Sequence, residues 1–150
     1  RGSLALREWG AIVAIALVAG FALWLWTEIF RPDLSEFRAM MPTGGTAVLI
    51  GAALVFALLN AAMEELVWRG AIQHWLSLHV GSVLAVILQA VSFGFIHWAG
   101  FPSGWTGVAL AAIYGVMLGA LRALSGGLLA PFVAHIFADL VIFGLILSAT

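Results

Sequence analysis

Apolar positions run along this chain in long stretches, separated by short clusters of Gly, Pro, Ser and charged residues. From Trp9 to Phe30 the sequence is apolar for about 22 residues, which at 1.5 Å per residue crosses a ~30 Å hydrocarbon core. That run is too long for a signal-peptide core and no small-residue cleavage site follows it, so it predicts a retained span. Trp9, Trp24 and Trp26 lie near its ends, where interfacial tryptophans collect. Residues 31–45 carry Arg31, Pro32, Asp33, Glu36, Arg38, Pro42, Gly44 and Gly45 and predict a loop with room for a short surface helix.

The apolar pattern resumes at Thr46 and continues to about Leu78, roughly 33 residues, more than one upright crossing needs. Such a helix either tilts strongly or bends in its second half. His79-Val80-Gly81-Ser82 predicts a tight turn, and a third helix runs from Ser82 to Trp98. Gly100, Pro102, Ser103 and Gly104 break it, with Trp98 and Trp105 marking an interface on either side. A fourth helix covers Thr106 to Leu124 and stops at Ser125-Gly126-Gly127; a fifth covers Leu128 to Leu147, with Pro131 tolerated in its first turn. Gly107, Ala111, Gly115 and Gly119 recur every four residues on the fourth helix, a stripe that lets a neighbouring helix come close and reads as packing inside the bundle rather than homodimerisation.

Composition turns this pattern into a class. The chain has 150 residues, 64% of them hydrophobic and 9% charged, and its mean hydropathy is +1.15. A soluble domain of that size does not have such a balance. The expectation is an all-α, polytopic membrane bundle of about five transmembrane helices. Residues 1–150 are expected to form one membrane-embedded domain, with a core over about 46–148 and an additional helix and polar loop over 1–45. No Lys is present and the formal net charge is -1, which gives nucleic acid no basic face to bind. Cys is absent as well, so thiolate chemistry and Cys-based metal sites are excluded. Arg1, Arg7 and Arg122 fall on one side of the bilayer and Arg31 and Arg38 on the other, a small bias toward a cytoplasmic N-terminus.

Ionisable residues inside the apolar runs then stand out, because each costs at least ~2.5 kcal/mol at bilayer depth. Glu64, Glu65 and Arg69 lie in the long second run, His97 at the end of the third helix, and His135 and Asp139 in the fifth. Glu65 and Arg69 are four apart with the acid N-terminal, the favourable order for an ion pair. Glu64 points about 100° away, toward the face of Asn60 and Trp68, and is left free. With helices zigzagging from the 79–81 and 125–127 turns, Glu64, Arg69, His97, His135 and Asp139 fall at depths of roughly 22, 15, 26, 14 and 19 Å. Such residues avoid lipid, so they predict one buried polar cavity. Asn60 and Gln89 are explained by interhelical hydrogen bonds, Phe93 by packing at the cavity wall, His74 and His79 by water at the nearby turn, and Arg122 by snorkelling to headgroups.

Glu64-Glu65-x-x-x-Arg69, Phe93-x-x-x-His97 and His135-x-x-x-Asp139 resemble the three ordered motifs of the CPBP, or Abi, family of intramembrane proteases. That family groups the type II CAAX prenyl endopeptidases with bacteriocin-processing and related bacterial proteins. The resemblance covers residues 64–139. It implies a glutamic-type endopeptidase, with no cofactor and no metal, cutting a peptide or protein substrate at the membrane of a bacterial or archaeal cell. Carried over by position, Glu64 is the general base that deprotonates water, and His97 holds that water with it. His135 and Asp139 face the oxyanion, while Glu65 and Arg69 fix the first motif. Several members have Asn where this chain has Asp139. Either burial keeps Asp139 neutral so that it donates a hydrogen bond, or it orients His135 and leaves His135 as the main donor.

Rival readings remain at this level. Glu64, His97, His135 and Asp139 are acceptable zinc ligands for a zinc-dependent intramembrane protease, although no His-Glu-x-x-His pair is present. A non-proteolytic transporter or proton-relay protein also uses buried Glu, Arg and His, although the paired inverted repeats common in transporters are not apparent. A member that has lost activity and serves as a scaffold would not need its motifs intact. The metal-free reading predicts that peptide cleavage persists in a strong chelator; loss in chelator and recovery with added zinc would favour the metal instead.

Overall fold

The computed structural model describes residues 2 and 4–149; Arg1, counted above among the charges on one side, lies outside them. The described residues contain no strand. Helix α1 is Leu6–Phe30 and a short helix α2 is Ser35–Ala39. α3 is Thr46–Glu64 and α4 is Gln73–Val80, α5 is Ser82–Ile96, α6 is Gly104–Ser125 and α7 is Leu129–Ser148. Five helical stretches are long and apolar enough to cross a membrane, with Thr46–Val80 the longest at 35 residues. The chain is therefore an all-α polytopic bundle with multiple spans.

The 35-residue stretch is helical throughout, but its hydrogen-bond register changes in the middle. Between α3 and α4, residues Glu65–Ile72 form a π-helix, and the Gln73 N–H bonds the carbonyl of Trp68, five residues back. π segments are rare and gather at functional sites. No signal in the composition of this run announces the change, and it falls on the Glu65–Arg69 motif.

Hydrophobic polarity is inverted relative to a soluble protein. Val83 is 77% exposed and Leu17 69%, whereas Arg69 and Gln89 are 0% exposed. The outer surface thus suits acyl chains, and the polar groups are kept for the interior. Where helices meet, small residues dominate: Ala57 and Ala61 on α3, Ala85 and Ala90 on α5, and Ala130, Ala134 and Ala138 on α7 are all buried. Ile12 of α1 joins Leu118 and Leu121 of α6 and Ala130 and Ala134 of α7 in a buried apolar cluster. An Arg7 guanidinium N–H donates to the carbonyl of Leu124 at 3.3 Å, which brings the start of α1 to the end of α6.

The small-residue stripe of α6 packs inside the bundle against α5. A Cβ on Gly115 would stand 3.0 Å from Cα of Ala90, and one on Gly119 would stand 2.6 Å from Nε2 of Gln89. The closeness also opens backbone carbonyls to side chains: Gln89 Nε2 donates to Gly115 O at 2.8 Å and Gln73 Nε2 to Gly119 O at 2.9 Å. One expectation is corrected here. Trp26, read as interfacial, is buried with its ring edge-on to Phe101 at 5.3 Å, because residues 97–102 fold back against the end of α1. Trp9 and Trp24 are exposed.

Replacing Gly115 by Val is expected to destabilise the detergent-solubilised protein by about 1–3 kcal/mol, since the neighbouring atom is backbone that cannot swing aside. Gly51, whose Cβ position has nothing within 4 Å, should accept Val with little change in thermal unfolding.

Candidate functional site

Two helices supply most of the site, each through a stripe with a period of four. On α3 and its continuation the stripe is Ala57, Ala61, Glu65, Arg69 and Gln73, all buried. In an α-helix a step of four overshoots one turn by about 40°, so a stripe of this length would wind away from the bundle. The wider π turn over Glu65–Ile72 reduces that overshoot and keeps Glu65, Arg69 and Gln73 on the inner face. On α7 the buried face carries Ala130, Ala134 and Ala138 together with His135 and Asp139.

Glu65 is at the centre. Its Oε1 accepts from Arg69 Nη1 at 2.8 Å and lies 2.7 Å from Nδ1 of His135. An ionised carboxylate only accepts, so Nδ1 of His135 carries the proton and the ring orientation is fixed. The far ring atom, Nε2, then faces Oε2 of Glu64 at 3.5 Å and Oδ1 of Asp139 at 3.8 Å. Asn60 Nδ2 donates to both Asp139 oxygens, at 3.4 and 3.2 Å, tying α3 to α7. One imidazole is thereby ringed by three carboxylates.

His97 occupies a 3₁₀ turn, His97–Ala99, at the end of α5. Its Nδ1 lies 2.8 Å from the Phe93 carbonyl, and a proton donated there leaves Nε2 with a lone pair. Gly107 makes room for this turn: a Cβ there would collide with the Pro102 carbonyl and come within 3.0 Å of the His97 carbonyl oxygen. Phe93 joins the parts. Its ring lies 4.5 Å under the Arg69 guanidinium carbon, 4.5 Å from the His97 ring and 6.4 Å from the His135 ring. Nε and Nη2 of Arg69 have no hydrogen-bond partner among the described residues, and the ring face offers that buried cation an electrostatic contact instead.

A cavity of about 580 Å³ is lined by Glu64, His97, His135, Asp139 and Asn60, with Tyr114 beside them. Glu65 and Arg69 are buried and do not line it. Glu64 keeps 22% of its side chain exposed, whereas Glu65 keeps 2%. Carboxylates and imidazoles in the lining of one cavity can hold a water and position a polar substrate group.

All six residues singled out from the sequence are accounted for. Glu64, Glu65, Arg69, His135 and Asp139 interact through direct contacts, and His97 shares the cavity that Glu64, His135 and Asp139 line. Glu65, not Asp139, holds Nδ1 of His135, and Asp139 is engaged by Asn60 with its Oδ1 3.8 Å from Nε2 of that ring. One detail differs from expectation. The depth count separated Glu64 from His135 by roughly 8 Å along the bundle, whereas Oε2 of Glu64 lies 3.5 Å from Nε2 of His135. The sequence reading missed Tyr114, the chain's single Tyr, whose hydroxyl donates to Ala134 O at 3.2 Å and whose ring stands edge-on to His135 at 5.6 Å. It also missed the cavity wall contributed by residues 18–42, since nothing in an apolar span tells which face meets a cavity. Arg122 is half-buried beside Gln73, Ser77 and Ser82 in a smaller pocket of about 210 Å³. Among the described residues no group of three or more His, Asp or Glu is arranged to hold a metal ion.

A family model described as type II CAAX prenyl endopeptidase Rce1-like matches residues 46–141. No curated protein and no solved structure matches the chain.

Arg69→Met, which strands the buried Glu65 carboxylate, is expected to cost about 3–5 kcal/mol of stability. Replacing both members, as Glu65→Leu with Arg69→Met, should recover much of that loss in a chemical or thermal unfolding assay. A double variant as unstable as Arg69→Met alone would show that the pair is not the source.

Proposed function

The chain belongs to the type II CAAX prenyl endopeptidase Rce1-like family, and from that premise we propose a glutamic-type intramembrane endopeptidase that hydrolyses a peptide bond with Glu/His-activated water. The observation that carries this reading is the placement of Glu64. Of the two adjacent glutamates it is the one that reaches the cavity, while Glu65 is engaged by Arg69 and His135.

In the proposed reaction a water is held between Glu64 and Nε2 of His97, the ring atom that its bond to the Phe93 carbonyl leaves as an acceptor. Glu64 takes a proton from that water as its oxygen attacks the carbonyl carbon of the substrate, and the carbonyl oxygen becomes an oxyanion. His135 serves as the oxyanion donor: with Nδ1 donating to Glu65, the cationic ring presents Nε2–H on the cavity side. Glu64 then returns its proton to the departing amine, and the C–N bond breaks. Asp139, held by Asn60, faces the same Nε2 and favours the cationic ring when ionised. Glu65 and Arg69 are positioning residues. The substrate is a peptide or protein segment that reaches the cavity from the bilayer or its surface.

Glu64→Ala, His97→Ala and His135→Ala are each expected to lower cleavage by at least about 10²-fold in detergent or proteoliposomes, with the helical circular-dichroism signal retained. Comparison of membrane proteomes with and without Glu64→Ala should reveal an uncut precursor. Undiminished cleavage by folded Glu64→Ala would end the assignment.

A further inference from the structure

The family match begins at residue 46, yet the cavity that holds Glu64 and His135 is walled in part by chain that precedes it. Val18 and Leu23 of α1 contribute, as do Phe37 of α2 and Met40, Met41 and Pro42 just beyond it. None of these six is charged or carries a side-chain hydrogen-bonding group. This strap is anchored rather than loose: Leu34 is buried, and the Phe37 ring stands edge-on to Phe101 at 5.8 Å, which in turn meets Trp26 at 5.3 Å. Phe101 lies four residues after His97, so the anchor fixes the strap to the turn that carries that histidine. Met40 lines the cavity while being 72% exposed, so it is a rim residue with apolar surface still to cover.

We infer that the strap is a substrate-selecting wall, in which Met40 and Met41 receive an apolar side chain of the substrate close to the bond that is cut. The inference rests on the endopeptidase reading and adds to it which residues read the substrate. Methionine suits the task, being unbranched and able to adapt to several apolar shapes.

The test uses the full chain in detergent and a set of quenched-fluorescent peptides that differ at one position beside the cleaved bond, with kcat and KM measured for each. Wild type should prefer Leu, Met or Phe there over Asp or Lys by about tenfold or more in kcat/KM. Met40→Asp should raise KM for the apolar peptides about tenfold with much less change in kcat, and should improve the Lys peptide. Met41→Ala, which adds no charge, should shift preference toward larger side chains. An unchanged order of preference in both variants would overturn the inference while leaving the endopeptidase reading intact. Wild-type protein that cleaves none of the peptides would overturn both.

Discussion

One carboxylate oxygen, Oε1 of Glu65, takes hydrogen bonds from Arg69 and from His135, and the interior of the bundle is arranged around that shared acceptor. Neither a lone guanidinium nor a lone carboxylate is tolerable at this burial, since each loses several kcal/mol of hydration that only a well-placed partner offsets. The bond to His135 adds something an isolated ion pair cannot. It joins the long second span to α7, selects the ring nitrogen that bears the proton, and turns the other nitrogen toward Glu64 and Asp139. Position and protonation of the imidazole thus follow from a residue outside the cavity lining.

Holding that arrangement requires helices to approach closely without the hydrophobic drive available in water. The bundle meets this with small residues and with backbone acceptors. Glycines of α6 bring its carbonyls within reach of Gln73 and Gln89, so the Nε2 groups of two buried amides find acceptors on that helix. The π segment serves the same end by rotational phase. It lets side chains spaced by four stay on one face for longer than an α-helix permits.

Much of this was legible in the sequence, and the reasons are physical. Hydropathy and turn residues mark the five spans because lipid penalises unsatisfied backbone, and the structure agrees to within a few residues at most ends. Glu64, Glu65, Arg69, His97, His135 and Asp139 were visible because ionisable residues in such spans are costly. What stayed hidden depends on phase and contact. A hydrogen-bond register change leaves no compositional trace, so the second partner of Glu65 could not be foreseen from an i,i+4 spacing alone. The burial of Trp26 needed the backward fold of 97–102, and Tyr114 looked like one more apolar residue in a glycine-rich helix.

The strap over residues 31–45 differs in construction from everything it touches. The charged cluster sits on buried helix faces, where Glu65, Arg69, His135 and Asp139 are each held by a side-chain partner. The strap instead ends in Pro and Gly and is pinned by a short aromatic chain through Phe37, Phe101 and Trp26. Rim residues can therefore be replaced without breaking any of the side-chain hydrogen bonds that hold Glu65, Arg69, His135 and Asp139 together.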